Sequence, residues 1–108
     1  MISNDKYLWL IEESIRAVAG WNEGRLSEED ILLEFDRLQD VIIDEPEYPE
    51  KDYRSLVQEI IVNLNMTYNQ GIKRKHAPGF LEVLELARSG DSESSISGWS
   101  LLHRILDE

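Results

Sequence analysis

The chain has no cysteine, so no disulfide can brace it and no thiolate can bind a metal or attack a substrate. Histidine is nearly as scarce. His76 and His103 fall in different segments, and no H-x-x-x-H, Glu-x-x-His or EF-hand spacing occurs, so no metal site is expected. Cofactor motifs are absent too: Gly20, Gly24, Gly71, Gly79, Gly90 and Gly98 sit one to a corner instead of clustering in a phosphate-binding loop. Gly98-Trp99-Ser100 is not a G-x-S-x-G nucleophile elbow. Carboxylates are so numerous that no pair stands out for acid–base work. Ser97 reads as a helix cap, and His103, set among Leu101, Leu102 and Ile105, as a partly buried packing residue. These absences argue against an enzyme, with no catalytic residue, metal or cofactor to name.

Long apolar runs are also missing, the longest being far short of the ~18 residues of a membrane helix. The opening MISNDKYLWLIEES has no basic region, and Glu12 and Glu13 break its apolar run. Neither a signal peptide nor a membrane span is expected, and a cytoplasmic location fits. Basic residues are few: 11 Lys and Arg against 22 Asp and Glu, a net charge of −11. Such a surface repels phosphates, which argues against direct nucleic-acid binding. The basic run Lys73-Arg74-Lys75-His76 accordingly reads as a loop that balances acidic segments or the C-terminal end of the third helix.

What is present is a chain of 108 residues, 42% apolar and 31% charged, the make-up of one globular domain. Five helices can be read and no strand. The first spans about Asp5 to Ala19, with Leu8, Ile11, Ile15 and Val18 on one face, Ser3 or Asn4 as cap and Gly20 as a left-handed stop. Trp21 then plugs a turn. Ser27-Glu28-Glu29-Asp30 opens the second helix, whose buried face is Ile31, Phe35, Leu38 and Ile42. Pro46 and Pro49 make an extended linker after it. The third helix starts near Pro49 or Glu50, pairs Glu50 with Arg54, buries Tyr53, Leu56, Val57, Ile60, Ile61, Leu64 and Tyr68, and ends at Gly71. Pro78-Gly79 begins a fourth helix with Phe80, Val83, Leu84 and Ala87 inside, closed by Gly90. Ser89 to Ser95 is linker-like, and Ser95 or Ser97 caps a short last helix carrying Trp99, Leu102 and Ile105. Trp9 is one position off the first helix's apolar line. It covers the flank of the core in the favoured reading, or faces a partner. The expected fold is all-α, a compact antiparallel bundle of about five helices in a single domain spanning 1–108.

The charge is not spread evenly. Glu28 to Asp52 holds eleven carboxylates against Arg37 and Lys51, a net of −9 within 25 residues. A surface made only for solubility mixes its signs. Self-repulsion on this scale is useful chiefly for meeting something basic. Tyr48, between the two prolines, is expected to hold its ring outward, and Tyr53 follows. Carboxylates pair Lys and Arg while rings stack on guanidinium, so the stretch is read as a partner-binding face. Its members are Glu34, Asp36, Asp40, Asp44, Glu45, Glu47, Tyr48, Glu50, Asp52 and Tyr53, with Tyr53 also in phase with the core.

The segment SEEDILLEFDRLQDVIIDEPEYPEKDY, with the helix-opening element Gly24-Arg25-Leu26-Ser27-Glu28-Glu29-Asp30 before and within it, resembles the small acidic helical toxin-immunity proteins of the colicin and contact-dependent-inhibition kind. The resemblance covers the first half of the chain. It implies an inhibitor whose acidic second helix and following Tyr- and Pro-containing chain sheathe the basic nucleic-acid-binding surface of a toxin nuclease. Two other classes stay open: a nucleic-acid mimic that blocks a host defence protein, and an adaptor module with a merely solvated face.

Overall fold

The computed structural model describes residues 2–67 and 71–107, the first four of them by backbone alone. Among these residues there are five α-helices: α1 (Ile2–Asn22), α2 (Glu28–Ile42), α3 (Tyr53–Asn65), α4 (Ala77–Ser89) and α5 (Ser92–Leu106). A single 3-10 turn, Arg74–His76, leads into α4. The helices α2 and α3 pack together, as do α4 and α5, and α1 lies against α2, α3 and α4. The Cα radius of gyration, 12.6 Å, matches the ~13 Å of one compact globule of this length. No helix among the described residues is long and apolar enough to cross a membrane.

Local chemistry explains most of the boundaries. Ser27 and Asp30 form a reciprocal capping box at the start of α2, with Oγ accepting from the Asp30 amide at 3.1 Å and Asp30 Oδ2 from the Ser27 amide at 2.9 Å. The α2 stripe Ile31, Phe35, Leu38 and Ile42 is buried as expected, and so are Leu56, Val57, Ile60, Ile61 and Leu64 of α3. Phe80, Val83, Leu84 and Ala87 form the inner face of α4, which Gly90 closes in a left-handed conformation, φ 78°.

Other boundaries differ from the sequence reading. Helix α1 begins at Ile2, ahead of Ser3 and Asn4, and runs past Gly20. Gly20 is a close-packing site, since a Cβ there would meet Leu26 at 3.2 Å. The left-handed stop is Gly24, φ 83°. The buried face of α1 is also rotated by about one residue: Tyr7, Leu10, Ile11, Ser14, Val18 and Trp21 are inside, while Leu8 is 51% exposed. Two polar-looking residues, Tyr7 and Ser14, occupy core positions, which misled an apolar count. Helix α3 starts at Tyr53, capped by Asp52, and its last helical residue is Asn65. Gly71, expected at the end of α3, has the left-handed φ of 69°, and the Ile72 amide beside it donates to the Thr67 carbonyl at 2.9 Å. Tyr68 lies outside the described residues. Asp91, not Ser95 or Ser97, caps α5, which therefore has 15 residues and leaves only a corner at Gly90 and Asp91. His103 is exposed and rests on the Trp99 ring at 5.6 Å. Lys73, Arg74 and Lys75 are exposed with no ion pair among the described residues, so the expected charge balance is not made by direct contact.

Candidate functional site

After Ile43 the chain runs in non-helical form to Asp52, crossing beside α1, α3 and α5. Pro46 and Pro49 keep it out of helix, and side chains from all three helices hold it down. Tyr7 of α1, fully buried, is the central post. Its hydroxyl donates to Glu45 Oε1 at 3.0 Å and accepts from Gln58 Nε2, also at 3.0 Å. Gln58 donates as well to the Pro46 carbonyl at 3.0 Å, and Lys6 Nζ meets Glu45 Oε2 at 3.1 Å. Tyr48 and Tyr53 both pack edge-on against Tyr7, with centroids 6.1 and 6.3 Å away. Arg54 lies 4.0 Å from the Tyr48 ring centre and grips the Asp52 carboxylate at 2.7 and 3.0 Å. At the far end the Ser95 hydroxyl of α5 donates to the Glu50 carbonyl at 2.6 Å. Trp99 donates to Ser55 Oγ at 3.0 Å, and Ser55 in turn to the Asp52 carbonyl at 2.8 Å.

These contacts shift proton affinities in consistent directions. The Lys6 ammonium, and after it the Tyr7 hydroxyl, hold the Glu45 carboxyl below its ordinary value. Arg54 does the same for Asp52. Burial, reinforced by Glu45, pushes the Tyr7 phenol well above its ordinary value.

The acidic stretch therefore divides in two. Five carboxylates serve the fold. Glu28 accepts from Trp21 Nε1 at 2.9 Å, Asp30 completes the capping box, Glu34 lies 3.4 Å from Arg37, Glu45 meets Lys6 and Tyr7, and Asp52 caps α3. The expected Glu50–Arg54 pair does not form. Glu50 precedes the helix start, so helical spacing does not apply, and Arg54 turns back to Asp52. Tyr48 does not hold its ring outward; it is half-buried between Tyr7 and Arg54. Asp40, Asp44, Glu47 and Glu50 are exposed, and their carboxylates have no partner among the described residues. Among the described residues the Asp36 carboxylate has only a 3.4 Å contact with the Asn65 amide.

The free carboxylates are not scattered. Leu33, Asp36, Asp40 and Ile43 follow one another at helical spacings of three and four, opposite the buried stripe of α2. Ile43 keeps helical backbone angles, and with 70% exposure it is the most exposed large apolar residue described, followed by Leu33 at 58%. Trp9 of α1 is exposed beside α2. It is 42% exposed, with the Arg37 guanidinium 6.0 Å from its ring, so the core reading of Trp9 is replaced by the surface one.

Beyond the linker the acidic surface continues into a groove of about 400 Å³ between the linker, α3 and α5, lined by Glu47, Tyr48, Glu50, Gln58, Glu59 and Trp99 among others. A smaller recess of about 230 Å³, walled by Ile42, Ile43 and Pro46, shares Glu47, Gln58 and Val62 with it. On the other flank of the linker, Lys51 and Arg54 line a recess of about 320 Å³. Among the described residues, Lys51 and Arg54 line this recess, and no Lys or Arg lines the groove of about 400 Å³. The partner-binding residues read from the sequence include neither Glu59 nor Trp99. Glu59 is off the α3 stripe, a legible sign of exposure, but its place beside Trp99 depends on how α5 docks. No protein-family model, no curated protein and no solved structure matches the chain.

Proposed function

We propose that the protein inhibits a basic protein partner, as the immunity protein of a bacterial toxin nuclease, by covering the toxin's nucleic-acid-binding surface. The observation that carries this reading is the outer face of α2 running into the linker. There Asp36, Asp40, Asp44 and Glu47 have no counter-charge among the described residues, and exposed Leu33 and Ile43 flank Asp36 and Asp40. The free carboxylates pair the Lys and Arg that otherwise hold nucleic acid, while Leu33, Ile43 and Trp9 supply the desolvated area from which interfaces draw most of their affinity. Association is fast and salt-sensitive, because like charges on one face steer a basic partner. Glu45, Tyr48, Asp52 and Tyr53 act behind this face as its frame. The toxin assignment adds the likeness of the Ser27–Tyr53 segment to colicin-type immunity proteins.

The test is capture from the source organism's lysate and secretome at low and high salt, followed by a nuclease assay. The expected result is one basic nuclease, released by salt and inhibited by the wild type but not by the folded Asp40→Lys variant. Inhibition that survives Asp40→Lys would refute the face. A broad set of nucleic-acid-binding proteins, each competed off by nucleic acid, would replace the immunity reading with the mimic.

A further inference from the structure

The groove beside the linker has a composition distinct from the α2 face. Three carboxylates line it, Glu47, Glu50 and Glu59, and no Lys or Arg among the described residues does. Among the described residues the Glu59 carboxylate is engaged only by the Asn63 amide, at 3.0 Å, and the side chains of Glu47 and Glu50 have no partner. No three acidic or imidazole groups among the described residues stand close enough to share a metal ion. The carboxylates are instead disposed around a space of about 400 Å³, at the lower end of the ~300–1,000 Å³ range of ligand clefts. Two aromatic walls complete it, and both are fixed. Tyr48 is held by Tyr7 and Arg54, and Trp99 by its N–H bond to Ser55.

From this arrangement we infer that the groove seats one arginine side chain of the basic partner, an inference that rests on the basic-partner reading above. The fold contains its own example of the recognition. Arg54 is bound on the linker's other flank by one carboxylate, Asp52, and one ring, Tyr48. The groove offers the same two ingredients, with more carboxylates and an indole, and lacks the cation. A guanidinium satisfies both at once, because its planar fork pairs carboxylates in its plane while its faces stack on rings. A lysine ammonium is a compact, strongly hydrated point charge and gains little from the walls. The groove adjoins the α2 face through Glu47, so an arginine seated here extends the same interface and fixes its register.

The experiment titrates the peptide Ac-Gly-Arg-Gly-NH2 into the full chain at low salt, with its lysine and citrulline counterparts as controls. The indole N–H resonances are followed by NMR. Trp99 reports on the groove, Trp9 on the α2 flank and Trp21 on the core. The expected result is a saturable shift of Trp99 with Trp21 unmoved, and no response to citrulline. Lysine should bind about fivefold more weakly or worse. The double variant Glu50→Gln/Glu59→Gln, checked for unchanged unfolding temperature, should lose about tenfold in affinity for the arginine peptide. A silent Trp99, equal binding of lysine or citrulline, or wild-type affinity in the double variant would overturn the assignment. Salt-sensitive partner capture separates the two readings. Loss of the partner by Asp36→Asn/Asp40→Asn but not by the groove variant leaves the α2 face standing and removes the groove. The reverse pattern keeps the groove and removes the α2 face.

Discussion

Replacing Tyr7 with phenylalanine isolates the post that holds the acidic linker. Tyr7→Phe keeps the ring and its edge-on contacts with Tyr48 and Tyr53 and removes one oxygen. That oxygen donates to a carboxylate, Glu45, and accepts from an amide, Gln58, each at 3.0 Å. A hydrogen bond to a charged group contributes ~1.5–3 kcal/mol and a neutral one ~0.5–1.5 kcal/mol. Both partners keep a second contact: Glu45 retains Lys6 at 3.1 Å, and Gln58 retains the Pro46 carbonyl at 3.0 Å. The loss should therefore fall near the low end of the sum, about 1.5–2.5 kcal/mol. For a domain of this length that lowers the unfolding temperature by roughly 6–10 °C. Urea denaturation should show a lower midpoint with an unchanged slope, because the folded topology is retained. Hydrogen exchange should rise in residues 44–52 more than in the core of α3, since the linker loses its anchor. A stability change below about 0.5 kcal/mol would refute the central role given to Tyr7, because surface substitutions away from such features stay within that range.

Stability should decline at both ends of the pH scale. Glu45 and Asp52 have folded values below their ordinary 4.5 and 3.8, so what they contribute is complete above those values and drains away as pH falls through the lowered ones. Tyr7 has a folded value above its ordinary 10.0, so its contribution is complete below that pH and is lost as pH rises beyond it. Glu45→Gln should flatten the acid limb of a urea-midpoint profile, and an unchanged limb would remove Glu45 from the account. Ser14 is fully buried and its hydroxyl has no partner among the described residues. Ser14→Ala should stabilise the chain by about 1 kcal/mol, combining helix propensity with relief of an unsatisfied group, and a loss measured by calorimetry would show that the hydroxyl is satisfied. Gly98 lets α5 approach α3 so closely that a Cβ would collide with Leu56 Cδ2. Gly98→Ala should cost about 1–3 kcal/mol from overpacking, less the ~1 kcal/mol gained in helix propensity, and a more stable variant in denaturant would show that Leu56 moves aside freely.

Trp9 and Tyr48 show where a one-dimensional reading loses its grip. Trp9 is a single position away from the apolar line of α1, and one step on a helix turns a side chain by roughly 100°. Whether that direction meets core or solvent depends on where α2 lies, and α2 leaves the indole beside Arg37. Tyr48 between two prolines reads as a ring projecting from a stiff, exposed backbone, yet the apolar edge of Tyr7 and the guanidinium of Arg54 draw it in. The polar members of the α1 core, Tyr7 and Ser14, were hidden for a related reason: a periodic count of apolar residues passes over them.

The sequence by itself determined the helical class, the capping box of α2, the buried stripes of α2, α3 and α4 and the stop at Gly90. Each of these is written within one or two turns of chain, as a period, a cap or a left-handed glycine. It also determined that an excess of carboxylates falls between Glu28 and Asp52. Which of them are free was decided only by tertiary structure. The bonds that engage Glu45 come from Tyr7 and Lys6, 38 and 39 residues away. The groove joins Glu59 of α3 to Trp99 of α5. Such pairings arise when whole helices dock, and docking is governed by the burial of faces far apart in the chain, which no local pattern records.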